Sequence, residues 1–169
     1  MNRLQEMVLI SEIVLQSKIA RRAAERLQTA HENSDTVEVW CSIQSILIAA
    51  GNVSKILWPN QKYQSRGERL RQMLNVNADN LLSNRQFRNH FEHYDERIED
   101  WFNNQSSAVY TDLAMNPSLQ GQMSSTGNRG YNSYNNTLIF RGEPLDLNRV
   151  LKALEEILVN CRPYVLTLE

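Results

Sequence analysis

The chain has 169 residues, of which 41% are hydrophobic and 22% are charged, and its formal net charge is −1. This length suits one domain with a buried core, and the composition is not that of a disordered protein. The near-neutral charge argues against a protein whose whole surface binds nucleic acid, although it is compatible with a local basic patch.

Three helices are predicted in the first half of the chain. Residues 2–30 carry apolar side chains at steps of three and four, the spacing of one face of a long helix. Residues 35–57 predict a second helix, with Asp35 as its capping residue and Pro59 just beyond its end. This second helix is the most apolar, so we expect it at the centre of a bundle. A shorter helix is predicted over residues 67–74.

Two further helices are predicted in the second half. The third major helix begins near Ser83, which has capping-box spacing with Gln86, and it ends near Phe102. The last helix, over residues 147–160, has its apolar side chains on one side. Together the helices predict an all-α fold: an up-and-down helical bundle that forms a single domain over residues 1–169.

A polar segment interrupts this helical pattern before the last helix. Serine, asparagine, glutamine and glycine dominate residues 103–136, and no helical spacing is visible there. Residues 109–111 and 137–143 have the composition of short strands. We therefore interpret residues 103–145 as an insertion within the helical domain, containing a small β-hairpin and a loop.

The sequence also bears on location and on metal or cofactor use. The most apolar stretch, residues 40–58, contains several polar side chains, which predicts a cytoplasmic protein without a membrane span. Cys41 and Cys161 lie in apolar helical patterns and are predicted to be buried, reduced thiols. No cluster of metal ligands or glycine-rich phosphate loop is present, so we predict no metal and no cofactor.

The third major helix carries the most informative polar residues. On a helical wheel, Arg88 and His93 flank a polar face that also holds Arg85, Asn89, Glu92 and Glu96. Burying such a face within its own bundle would be costly, so we expect either water or a second protein surface to cover it. The opposite stripe is predicted to be core and consists of Phe87, Phe91, Tyr94, Ile98 and Trp101.

The segment Arg88-Asn89-x-x-x-His93 resembles the signature of the HEPN superfamily of small helical-bundle proteins. That signature is an arginine, a polar residue, three further residues and a histidine, all on one helix. The number and order of the helices are similar to that family over residues 1–103 and 146–162. The polar segment between them lies outside the family's common core.

The resemblance implies a metal-independent endoribonuclease that cleaves RNA in a cleft shared by the two protomers of a homodimer. His93 would be the general acid or base, since histidine exchanges protons near neutral pH. Arg88 would bind the scissile phosphate, and Asn89 would orient the histidine or the phosphate. The residues that would line the substrate cleft are Arg85, His90 and Glu92. A toxin or defence role, with an antitoxin as protein partner, would accompany this activity.

One departure from the family affects its regulation. In some toxin members a tyrosine lies two positions after the histidine, where an antitoxin enzyme modifies it. In this sequence that position is Asp95, and the neighbouring Tyr94 falls on the predicted core stripe. That scheme of regulation is therefore not expected here.

Several alternatives stay open from the sequence. Arg88 has the spacing to pair with Glu92 in a solvated ion pair worth a few tenths of a kcal/mol. A non-catalytic module that binds RNA, a nucleotide or a protein, and a plain helical scaffold, are the competing functions. Arg21, Arg22 and Arg26 form either a basic rim for a phosphate backbone or an ordinary solvated helix face.

Overall fold

A computed structural model of the chain describes residues 2–84, 93–104, 110–117 and 127–165. It divides into two compact units. The first, called the helical unit, comprises Met1–Arg85 and Arg149–Glu169. The second, called the sheet unit, comprises Gln86–Asn148.

The helical unit contains the helices that the apolar spacing predicts. Helix α1 spans Arg3–Glu32 and begins with a capping box, in which the Asn2 side chain accepts a hydrogen bond from the backbone of Gln5. Helix α2 spans Thr36–Leu57, and Asp35 caps it as predicted. Helix α3 spans Gln64–Met73, three residues earlier than its predicted start. A last helix, α5, spans Leu147–Cys161 and belongs to this unit from Arg149 onward.

Helix α2 supplies the centre of the helical core, as its composition predicts. It packs antiparallel to α1, where Asn52 Nδ2 donates a hydrogen bond to Gln16 Oε1 at 3.2 Å and so satisfies two polar groups between apolar neighbours. Helix α3 packs so closely against the end of α2 that a Cβ at Gly67 would lie 2.6 Å from the Leu57 carbonyl oxygen. The largest fully buried side chains of this unit are Ile10, Ile13, Ile43, Ile46, Leu57, Leu70, Leu74, Leu154 and Ile157.

The length and apolar character of α2 also meet the criteria for a membrane-spanning helix. Its most apolar stretch has a mean hydropathy of 1.2, and 56% of that stretch is buried within the protein. A core helix of a globular protein has the same properties, so this single helix is weak support for a membrane location.

The sheet unit contains one described helix and four short strands. Helix α4 spans Tyr94–Asn104. The strands are β1, Ala114–Met115; β2, Arg129–Asn132; β3, Thr137–Phe140; and β4, Glu143–Asp146. They form one sheet in the order β1-β2-β3-β4, in which β1 is parallel to β2 and the other neighbours are antiparallel. The fully buried side chains of Leu138 and Phe140 form the centre of this unit's core.

The prediction of an all-α fold is wrong. The chain is mostly helical, but the region between residues 114 and 146 contains a four-stranded mixed sheet rather than a small hairpin. The strands have two to four residues, which is too short for an alternating apolar pattern to be recognised. Strand β2 also begins with an arginine and a glycine and ends with an asparagine, so its composition resembles that of a loop.

The predicted strand over residues 137–143 is in fact two strands and the turn between them. Phe140 pairs with Glu143, which leaves Arg141 and Gly142 as a two-residue hairpin loop. Both have positive φ, 49° and 83°, as a type I′ turn requires. The other predicted strand, over residues 109–111, is not found in its described part, where Thr111 forms only an isolated bridge with Gly127. Val109 lies outside the described residues.

Candidate functional site

Of the residues in the predicted catalytic motif, the structure describes only His93. Arg85, Arg88, Asn89, His90 and Glu92 lie outside the described residues, whereas His93 lies directly before α4. The His93 carbonyl accepts a hydrogen bond from the backbone N–H of Arg97 at 3.2 Å, so the residue is tied to the first turn of that helix.

His93 has a carboxylate partner in the first turn of α4. Its Nδ1 lies 3.2 Å from Oε1 of Glu96, three residues along the chain. The side chains of His93 and Glu96 are 51% and 68% exposed, so both are accessible from solvent. A carboxylate on Nδ1 favours the tautomer with its proton on that nitrogen, which leaves Nε2 as the basic position of the ring.

The rest of α4 is acidic. Four carboxylates lie in its first two turns, against one basic side chain, Arg97; the four are Asp95, Glu96, Glu99 and Asp100. Arg97 Nη1 lies 3.5 Å from Asp100 Oδ2, and Arg141 Nη1 lies 3.9 Å from the same oxygen. Carboxylates in the first turn are favourable to the helix itself, but an acidic surface repels phosphate.

The predicted core stripe of this helix is only partly correct. Trp101 is buried, with 3% of its surface exposed, whereas Tyr94 is 52% exposed. Phe87 and Phe91 lie outside the described residues. Trp101 is covered by Tyr110, whose ring centroid lies 4.9 Å away in an edge-on arrangement. Tyr94 therefore lies on the surface beside His93 rather than in the core.

An ion pair in the sheet unit was not anticipated from the sequence. Arg129 donates two hydrogen bonds to Asp112, Nε to Oδ1 at 2.9 Å and Nη2 to Oδ2 at 2.6 Å. The two side chains are 13% and 15% exposed, so the pair is largely shielded from water. Tyr110 donates to Asp112 Oδ2 at 3.2 Å, and the Asn128 amide donates to the Tyr110 hydroxyl, also at 3.2 Å. This bidentate geometry joins β2 to the segment before β1.

The protonation of these groups follows from their partners. Burial by itself would raise the pKa of Asp112, but the hydrogen bonds and positive charge of Arg129 outweigh it, and the pKa is lowered. Burial, followed by the negative charge of Asp112, raises the pKa of Tyr110. Asp112 is thus a carboxylate fully engaged by Arg129, which indicates a structural role rather than a binding role.

The arginines of α1 line an open groove of about 840 Å³ on the helical unit. Arg21, Arg22 and Arg26 are matched by three carboxylates in the lining, those of Glu25, Asp35 and Glu38. Arg26 Nε is already paired with Glu38 at 2.9 Å. The charges balance, which favours the interpretation as a solvated helix face over a phosphate rim.

The two cysteines differ, contrary to the prediction that both are buried. Cys161 is fully buried, and burial raises the pKa of its thiol to about 12. Cys41 is exposed on α2 and lines the groove described above. Within the described ranges, no group of three or more histidine, cysteine, aspartate or glutamate side chains could hold a metal ion.

Comparisons of the chain with protein-family models, with curated proteins and with solved structures gave no match. The resemblance to the HEPN superfamily therefore depends on the segment from Arg88 to His93 and on the predicted helix order. The function of the chain is therefore inferred from its own residues.

Proposed function

We propose that the chain is a metal-independent endoribonuclease of the HEPN kind that acts as a homodimer, with His93 as its proton-transfer group. The observation that supports this proposal is the contact between His93 Nδ1 and Glu96 Oε1 at 3.2 Å. An imidazole whose second nitrogen contacts a carboxylate recurs in general acid–base catalysis, although there the carboxylate is usually buried, whereas Glu96 is 68% exposed. Glu96 is thereby a positioning residue, since it acts through the histidine.

The proposed reaction uses the RNA's own nucleophile. Nε2 of His93 takes the proton of a 2′-hydroxyl, and the resulting oxygen attacks the adjacent phosphorus. The bond from phosphorus to the 5′-oxygen breaks, and that oxygen takes a proton from water as it leaves. His93 then returns its own proton to the solvent. The products are a 2′,3′-cyclic phosphate and a 5′-hydroxyl. Arg88 would bind the phosphate and stabilise its developing charge, and Asn89 would position it.

In the proposed dimer, arginines from both protomers would lie near the acidic helix α4. The four carboxylates of this helix would oppose the approach of an RNA backbone. Arg85 and Arg88 precede them in sequence, and two protomers would together supply four arginines to one cleft. Two protomers would also bring eight carboxylates, so phosphate binding would depend on the four arginines, rather than α4, facing the cleft. An RNA-cleaving protein of this kind also fits a toxin or defence role, controlled by an antitoxin or another protein partner.

A second candidate is a non-catalytic binding module, and the charge of α4 favours it. Within that helix the carboxylates outnumber the single arginine by four to one. A surface of this sign suits a basic protein partner better than RNA. In this case the contact between His93 and Glu96 would be an ordinary exposed pair of little energetic consequence.

A cleavage assay separates the two candidates. Purified chain is incubated with mixed RNA and a metal chelator, and the fragments are measured over time. We expect cleavage, and we expect His93→Ala to slow it by about 10²- to 10⁴-fold, the usual contribution of a general acid or base. Glu96→Gln should slow it less, because the histidine itself is retained. His31→Ala is the matched control, since His31 is an exposed histidine in the last turn of α1.

The outcomes are distinct. Cleavage that is equal in wild type and His93→Ala would exclude His93 as the proton-transfer group. RNA binding without cleavage, or binding of a basic protein alone, would replace the proposal with the second candidate. Loss of activity in His31→Ala as well would point to a general effect on folding, which circular dichroism of each variant would reveal.

A further inference from the structure

An exposed apolar surface runs along the first half of α1. Of the 14 exposed large hydrophobic side chains among the described residues, five lie between residues 4 and 19 of this helix. Their exposed fractions are 68% for Leu4, 49% for Met7, 60% for Val8, 50% for Leu15 and 39% for Ile19. Scattered exposed apolar residues are normal in a monomer, but a contiguous row of them marks an interaction surface.

The spacing of these residues forms a single stripe. Leu4, Val8, Leu15 and Ile19 fall within about 60° of one another on the helix, and Met7 lies about 60° beyond Leu4, outside that arc. The exposed Ser11 occupies the same stripe at its midpoint. With Ser11 included, the steps along the stripe are four, three, four and four residues, close to the spacing of a seam between two packed helices. The buried face of α1, which includes Ile10 and Ile13, lies on the opposite side.

The stripe is complementary to itself when two helices run antiparallel. A two-fold axis between Ser11 and Glu12 places Leu4 opposite Ile19 of the second copy, because the two residues lie equally far from the axis. By the same relation Val8 lies opposite Leu15. Next to the axis, Ser11 faces Glu12 of the other copy, where its hydroxyl can donate to the carboxylate.

The charges of α1 select this antiparallel arrangement. Arg22 and Arg26 continue the same stripe beyond Ile19, and both are exposed. In a parallel pair each arginine would face its own copy, and the like charges of Arg22 would repel, whereas Arg26 is already paired with Glu38. In the antiparallel register, Arg22 and Arg26 extend past the start of the other helix and remain in water. The apolar residues are thus paired without any arginine in the overlap.

We propose that α1 is a homodimer interface, in which two copies pack antiparallel through Leu4, Val8, Leu15 and Ile19 about an axis between Ser11 and Glu12. This interface belongs to the helical unit and is different from the shared cleft proposed around His93 of the sheet unit, so it does not depend on the proposed ribonuclease activity. The overlap is about 22 Å long, from the rise of the helix between Leu4 and Ile19. An interface of this size is at the small end of specific contacts, so we expect a dissociation constant of roughly 1–100 μM.

The affinity test uses sedimentation of the full chain across that concentration range. We expect Leu15→Glu to raise the dissociation constant at least about 100-fold, because it places a carboxylate opposite Val8 of the other copy. Ile48→Glu is the matched control: Ile48 is 60% exposed on α2, and its replacement should leave the dimer unchanged. A chain that stays monomeric throughout, or a dimer that persists in Leu15→Glu, would overturn the proposal.

Cross-linking tests the register. Two variants are made in a Cys41→Ser background, one with Val8→Cys and the other with Leu15→Cys. The antiparallel register predicts a disulfide when the two are mixed and oxidised, and little in either alone. Disulfides that form in Val8→Cys alone would overturn it. Equally, if the wild type is monomeric but Leu15→Glu releases it from anionic lipid vesicles, the stripe binds membrane and not a second copy.

Discussion

The helical unit and the sheet unit are stabilised in different ways. In the helical unit, side chains spaced three and four residues apart pack into a continuous apolar core around α2. In the sheet unit, strands of two to four residues are joined by specific polar contacts, among them the largely shielded ion pair of Asp112 with Arg129. The first unit should therefore respond mainly to lost volume in its core, and the second mainly to lost charge pairing.

The largest expected effect concerns the two thiols of the helical unit. Cys41 is exposed, whereas Cys161 is fully buried and the pKa of its thiol is about 12. If the core is rigidly packed, Cys161 reacts only when the unit unfolds, which costs about 5 kcal/mol or more. We expect iodoacetamide to modify Cys161 at least about 10³-fold more slowly than Cys41. A ratio near ten, measured by mass spectrometry, would mean that the helical core opens readily.

Removing volume from the helical core should have the next largest effect. Ile43 is 0% exposed in the middle of α2. We expect Ile43→Ala to lower the free energy of unfolding by about 2–5 kcal/mol, measured by urea denaturation. Ile48→Ala on the exposed side of the same helix should change it by less than about 0.5 kcal/mol. Equal losses at both positions would contradict the assignment of the buried face.

Breaking the shielded ion pair should destabilise the sheet unit by a similar or smaller amount. Asp112→Asn removes the negative charge that Arg129 faces at 13% exposure, and we expect the free energy of unfolding to fall by about 3 kcal/mol. Lys152 and Glu156 provide the control, because they are 4.0 Å apart and 78% and 61% exposed. Glu156→Gln should therefore cost less than about 0.5 kcal/mol in the same denaturation experiment.

The smallest expected effect is a dependence on acid pH. The pKa of Asp112 is lower in the folded chain than its ordinary value of 3.8. A lowered folded pKa contributes stability above pH 3.8, and that contribution is lost as the pH falls through the folded pKa. We expect the wild type to lose stability over this acid range more steeply than Asp112→Asn does. Parallel curves for the two proteins would show that Asp112 is not the responsible group.

The two units also differ in how far their sequences predict them. The bounds of α1 and α2 followed within two residues from the apolar spacing and from the capping residue Asp35. These signals are local, because a helix bonds to itself. The sheet depends on partners that are distant in sequence. Arg129 and Asp112 are 17 residues apart, and neither their pairing nor the parallel contact of β1 with β2 leaves a local pattern.

Turn residues are the other local feature from which the sheet unit can be predicted, but they indicate only part of it. Arg141 and Gly142 form the turn between β3 and β4, but an arginine at positive φ is unusual and did not mark the position. Asn116, also at positive φ, accepts hydrogen bonds from the backbone and hydroxyl of Ser133, a contact that only the folded chain reveals. At the candidate site, the spacing of His93 and Glu96 could have identified the pair in advance.

The most direct test of the proposed activity is the chemistry of its products. The chain is incubated, in the presence of chelator, with an RNA oligonucleotide and with the same oligonucleotide carrying 2′-deoxyribose throughout. The proposal predicts RNA fragments that end in a 2′,3′-cyclic phosphate, no cleavage of the deoxy form, and loss of the fragments in His93→Ala. Intact RNA, or equal cleavage of both oligonucleotides, would contradict a reaction in which His93 activates the 2′-hydroxyl.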